Sequence, residues 1–131
     1  MILTVDGAEV FATTGGKPFN PELPLVIFLH GAGFDHSMWA LFSRWFSHHG
    51  YSVLAPDLPA HGRSKGQPIS SIAGMADWTV KLIDAAGAKK AGLVGHSMGS
   101  LVALDAAARY PDRISALSLI GVSGAMPVSP D

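Results

Sequence analysis

The sequence predicts an α/β fold: a mostly parallel sheet of about six strands with helices on both faces and an antiparallel hairpin at its N-terminal edge. Three observations predict it. From residue 24 onward, aliphatic runs of strand length alternate with stretches of helical period, the order expected when parallel neighbours are joined by crossovers. The strand runs are apolar on both alternating faces, as strands covered from both sides must be. Hydrophobic residues make up 48% of the chain and charged residues 15%, with a mean hydropathy of +0.30, so one domain spanning 1–131 can bury a core.

The elements follow in order. "ILTVDG" and "EVFATTGG" read as two short strands turned at Asp6-Gly7, a frequent hairpin dipeptide. "LPLVIFLHG" is a continuous aliphatic run and reads as a buried strand. The Gly-rich "HGAGFDHS" comes next, then "MWALFSRWFSHHG", where Trp39, Phe42, Trp45 and Phe46 recur at helical spacing and Gly50 provides a stop. "YSVLAPDL" is the next strand and "PAHGRSKGQP" a loop. Residues 71–86 place Ile72, Met75, Thr79, Leu82 and Ile83 on one helical face. "KAGLVGH" returns to strand, "MGSLVALDAAARY" is a helix closed by Pro111, and "ISALSLIGV" is a last apolar strand. In open sheets of this kind, sites lie beyond the carboxyl ends of the strands. Segments 30–35, 57–64 and 95–99 fall there.

Composition excludes several functions. A net charge of −1 with mixed signs offers no basic face, so a nucleic-acid partner is not expected. There is no cysteine, hence no disulfide framework and no thiolate metal site. Neither a metal nor an organic cofactor is called for. The N-terminus "MILTVDGAEVF" lacks the basic start and apolar stretch of a signal peptide, and no window approaches the roughly 20 apolar residues of a membrane span. The expectation is a soluble, cytoplasmic protein with no membrane partner.

Gly95-His96-Ser97-Met98-Gly99 is a G-x-S-x-G pattern set between a predicted strand and a predicted helix. A strand that turns straight into a helix strains the apex residue, and glycines two before and two after remove side chains that would collide there. Ser97 is thereby lifted to a helix N-terminus, where free N–H groups favour developing negative charge. It is the expected nucleophile, with the Met98 N–H as one oxyanion donor. The competing reading is a serine that merely caps the helix. His30-Gly31-Ala32-Gly33 ends the third strand, and its glycines let a second amide, that of Ala32, approach from across the site. His30 itself is expected to order the loop. Gly31, Gly33, Phe34 and His96 are the expected substrate-binding positions, and Met98, Phe34 and Trp39 make the visible wall apolar. Asp57 is expected to bind loop amides. His36, His48 and His49 read as surface or packing residues, and His61 as part of a rim loop.

"FLHGAGFDHSMW", "YSVLAPDLPAHGRS" and "LVGHSMGSLVALDAAARYPDRISALSLIG" resemble the N-terminal part of an α/β-hydrolase of the lipase, esterase and epoxide-hydrolase-like group, over about residues 24 to 124. The resemblance implies a serine hydrolase, with Ser97 as nucleophile and Met98 and Ala32 as oxyanion donors. The expected reaction is hydrolysis of a small carboxylic ester through an acyl-enzyme. Carbon–carbon hydrolysis, acyl transfer, cofactor-free peroxidation on the same scaffold, or a non-catalytic assembly module are the alternatives. Epoxide and haloalkane chemistry would need an aspartate at position 97.

The family pattern also requires an acid and then a histidine after the serine. After Ser97 the carboxylates are Asp105, Asp112 and Asp131, and no histidine follows. The chain is therefore expected to be a partial domain, truncated after its sixth strand and inactive or weak alone. The last strand, residues 114–122, would be an apolar open edge, a site for self-association or for a complementary C-terminal segment.

Overall fold

A computed structural model of the chain describes residues 1–121. Six strands, β1 (Ile2–Val5), β2 (Ala8–Thr13), β3 (Leu25–Leu29), β4 (Ser52–Pro56), β5 (Ala91–His96) and β6 (Ile114–Ile120), form one open sheet in the order β1-β2-β4-β3-β5-β6. β1 with β2 and β2 with β4 are antiparallel; the other pairs are parallel. The hairpin turns at Asp6 (φ 51°) and Gly7 (φ 76°), the two successive positive φ angles that suit a right-twisted ribbon.

Helices α2 (Ile72–Ala85) and α3 (Met98–Arg109) pack on one face, and α1 (Ala40–Ser47) on the other. β3 shows why its run is unbroken. Leu25, Ile27 and Leu29 join the core beneath α2 and α3, while Val26 and Phe28 meet Trp39 and Val53 on the α1 side. α2 starts where Ser71 Oγ accepts the Gly74 N–H at 3.0 Å, an N-cap that satisfies one orphan donor. Its expected apolar face is present: Met75, Thr79, Leu82 and Ile83 are buried and Ile72 half-buried. No helix among the described residues is long and apolar enough to cross a membrane.

The aromatic helix departs from its sequence reading. A 3₁₀ turn (His36–Trp39) precedes α1, so Trp39 lies outside the helix that its spacing predicts. Trp39 is buried, whereas Phe42 and Trp45 remain about half exposed, and the residues α1 buries are Ser43 and Ser47. The cause is local. α1 lies close against Gly15, whose carbonyl accepts the Ser47 hydroxyl at 2.6 Å, leaving room only for small side chains.

Among the described residues β6 pairs with β5 on one side alone, and six of its seven residues are exposed, Leu117, Leu119 and Ile120 among them. Residue 122, the last of the expected edge segment, and Asp131 lie outside the described residues.

Candidate active site

Three loops meet because β3 lies between β4 and β5. Those after β3 (30–35), β4 (57–64) and β5 (97) leave the same end of the sheet side by side.

Ser97 occupies the turn from β5 into α3 with φ 53° and ψ −116°, a conformation that non-glycine residues rarely hold and that surrounding packing must enforce. Its backbone is tied on both sides: the Ser97 N–H donates to the Ile120 carbonyl at 3.1 Å, and the Ser100 N–H to the Ser97 carbonyl at 2.9 Å. Its side chain makes no capping hydrogen bond to α3, which removes the reading of an ordinary N-cap serine. Met98 is the first residue of α3, so its N–H has no intrahelical acceptor. The flanking glycines behave as the motif requires. A Cβ on Gly95 would overlap the Gly99 carbonyl, and one on Gly99 would overlap the Leu29 carbonyl.

The β3 loop reaches the serine. A Cβ built on Gly31 would lie 3.3 Å from the Ser97 Cβ and 3.3 Å from the His96 carbonyl, so Gly31 permits the approach. Ala32 and Gly33 follow, exposed at the site mouth. Phe34 is half exposed and meets the His96 ring edge-on at 5.7 Å. The His96 ring lies against Phe34, Trp39 and Gly121, and its Nδ1 is buried without a partner among the described residues. A cavity of about 660 Å³ opens between the β3 and β4 loops, lined by Gly33, Phe34, Met38, Ala60, His61 and neighbouring residues. Ser97, Gly31 and His96 do not line it.

His30 orders the loop, and its tautomer follows from its partners. The Leu58 N–H donates to Nε2 at 3.0 Å, so Nε2 carries no proton and Nδ1–H donates to the Gly31 carbonyl at 2.8 Å. Burial holds this imidazole below its ordinary titration range, against the favourable Gly31 contact. A histidine with a depressed folded-state pKa binds protons more readily in the unfolded chain. Its contribution is therefore complete above about pH 6.5 and is lost as pH falls through the lower folded value. The urea midpoint should drop as pH falls below about 6.5, and an NMR titration of the His30 ring should place its protonation below the ordinary value.

Asp57 is fully buried and accepts three N–H groups: His36 N at 2.7 Å and His36 Nδ1 at 2.8 Å on Oδ1, and Arg63 N at 2.8 Å on Oδ2. It pins the β3 loop to the β4 loop. His36 is accordingly no simple surface residue: its ring is half-buried, paired with Asp57 and edge-on to Phe11 at 4.9 Å. Sequence reasoning missed that pairing, whose partners are 21 residues apart, and missed Ser100, whose hydroxyl links the Gly95 and Ile120 carbonyls. Asp35, His36 and Asp57 bring ligand-type atoms within 4.8 Å of one another, with both Asp57 oxygens already accepting N–H groups. His48 and His49 bond the last carbonyls of α1, those of Arg44 and Trp45. Asp105 is held by Arg109 at 2.8 Å on α3.

A mostly parallel sheet with a strained serine on a strand-to-helix turn, faced by a glycine loop from the neighbouring strand, defines the class of open α/β proteins with an elbow site. The family model described as alpha/beta hydrolase fold matches residues 24–130, and the chain belongs to that family. The dihydrolipoyllysine-residue acetyltransferase component of an acetoin cleaving system from Cupriavidus necator is 36% identical over 122 residues, 92% of this chain and 31% of that protein. A pimeloyl-[acyl-carrier protein] methyl ester esterase from Methylococcus capsulatus is 34% identical over 117 residues, 85% of this chain and 40% of that one. The crystal structure of an enol-lactonase from Burkholderia xenovorans superposes with a TM-score of 0.79 at 28% identity, covering 89% of this chain and 45% of that one. The chain thus spans less than half the length of each of these relatives.

Proposed function

We propose that Ser97 is the nucleophile of a serine hydrolase that cleaves small carboxylic esters. The observation that carries this reading is the strained Ser97 backbone combined with a side chain that does no capping. In the proposed reaction Ser97 Oγ attacks the ester carbonyl carbon, and its proton passes to a base and then to the departing alcohol. The amides of Met98 and Ala32 receive the developing oxyanion. Water then attacks the acyl-enzyme, releasing the acid and restoring the hydroxyl.

No histidine among the described residues hydrogen-bonds to Ser97 Oγ, so the base is supplied from outside them. Polypeptide pairing at the open β6 edge, a complementary segment or a second copy, is the proposed source. A fluorophosphonate probe tests the serine assignment: slow, stoichiometric labelling at Ser97 is expected, abolished in Ser97→Ala. Labelling that persists in the variant refutes it. Size-exclusion chromatography of the same sample should show association that Leu117→Lys weakens; a stable monomer at all concentrations argues against the edge proposal.

A further inference from the structure

We infer that a second cavity, of about 420 Å³ between the end of β2 and the start of α1, binds a small carboxylate with an apolar body. It shares Ser37 with the cavity between the β3 and β4 loops but is not lined by Ser97, Gly31 or His96, and the inference does not rest on the reading of the Ser97 site.

The one fixed charge on its wall is the Arg44 guanidinium. The ionisable side chains that line it are those of Arg44 and His36, and no carboxylate does. Arg44 is exposed and enters no ion pair among the described residues. The His36 ring is immobilised through Nδ1 by the buried Asp57, so the cation that would hold a carboxylate here is Arg44. Ser43 also lines the cavity, is only 2% exposed, and its Oγ has no hydrogen-bond partner among the described residues. A buried hydroxyl in that state is unusual and calls for a partner. Ala40 and Leu41 supply the apolar side, with Leu41 83% exposed on this wall. One guanidinium fork suits a planar monoanion, and the adjoining leucine suits a ligand whose other end is hydrocarbon. The volume is within the range of small-molecule sites. Because β2 lies toward the opposite edge of the sheet from β6, polypeptide that pairs with β6 does not fill this cavity.

The test is a titration of the ¹⁵N-labelled chain with sodium benzoate, with sodium phosphate and sodium chloride at matched ionic strength as comparisons. Saturable shifts are expected at the Gly15, Gly16, Ser37 and Ser43 amides with benzoate only. Arg44→Gln should weaken binding about tenfold or more, the scale of one charge-assisted contact, and Leu41→Asn should weaken it several-fold. Both side chains are exposed, and the second variant decides should the first not fold. Shifts that never saturate, equal responses to chloride or phosphate, or an affinity unchanged in both variants would overturn the inference.

Discussion

Replacing Gly99 with alanine is expected to unfold the chain. The added methyl would overlap the backbone carbonyls of Leu29 and His30, and neither can retreat. Leu29 is in the central strand, paired with Gly95 of β5, and His30 is fixed through its ring to Leu58 and Gly31. Relief requires α3 to lift from the sheet, exposing Val102, Ala103 and Ala106, all fully buried. A backbone collision of this kind belongs to the largest class of single-residue effects, about 4 kcal/mol or more. Gly92→Ala is the control. Its Cβ would meet nothing nearer than 3.8 Å, and alanine is the better strand residue, so a change within about 1 kcal/mol is expected. Urea denaturation followed by circular dichroism separates the two. A cooperative Gly99→Ala transition near the wild-type midpoint would show that the elbow is not closely packed.

Asp57→Ala should destabilise by about 2–4 kcal/mol, because it strands two backbone N–H groups and a ring N–H at a buried point. Its expected signature is more specific than lost stability. Asp57→Asn should recover little, since one amide N–H₂ would face a donor already aimed at that position, whether His36 or Arg63. A carboxylate can accept from all three; an amide cannot. The unfolding midpoints of both variants check this, and amide exchange at His36 and Arg63 should accelerate in each. An asparagine variant as stable as the native chain would mean that the Asp57 contacts do not tie the two loops.

The fold was legible because its determinants are local. The two-residue turn at Asp6-Gly7, the unbroken β3 run and the α2 face each follow from backbone sterics or side-chain period within a dozen residues. The helix 38–50 was misjudged in its packing for the opposite reason. Its aromatic spacing suggested a continuous helix, but a 3₁₀ turn shifts Trp39 out of phase, and a close approach from Gly15 gives the buried positions to Ser43 and Ser47. That contact spans 32 residues, beyond the range of any periodic pattern. Ser97 was visible since its strain and its glycines are neighbours in the chain. The partner of Asp57 was not, since nothing in a sequence marks which N–H will face a buried carboxylate.

By itself the sequence determined the strand and helix order and the glycine-flanked serine, both properties of short covalent stretches. Only the tertiary structure decided that Gly31 abuts Ser97, that His30 carries its proton on Nδ1, and that Asp57 holds His36. Those facts depend on β3 lying between β4 and β5, an arrangement fixed by burial of the whole sheet, which no local segment encodes.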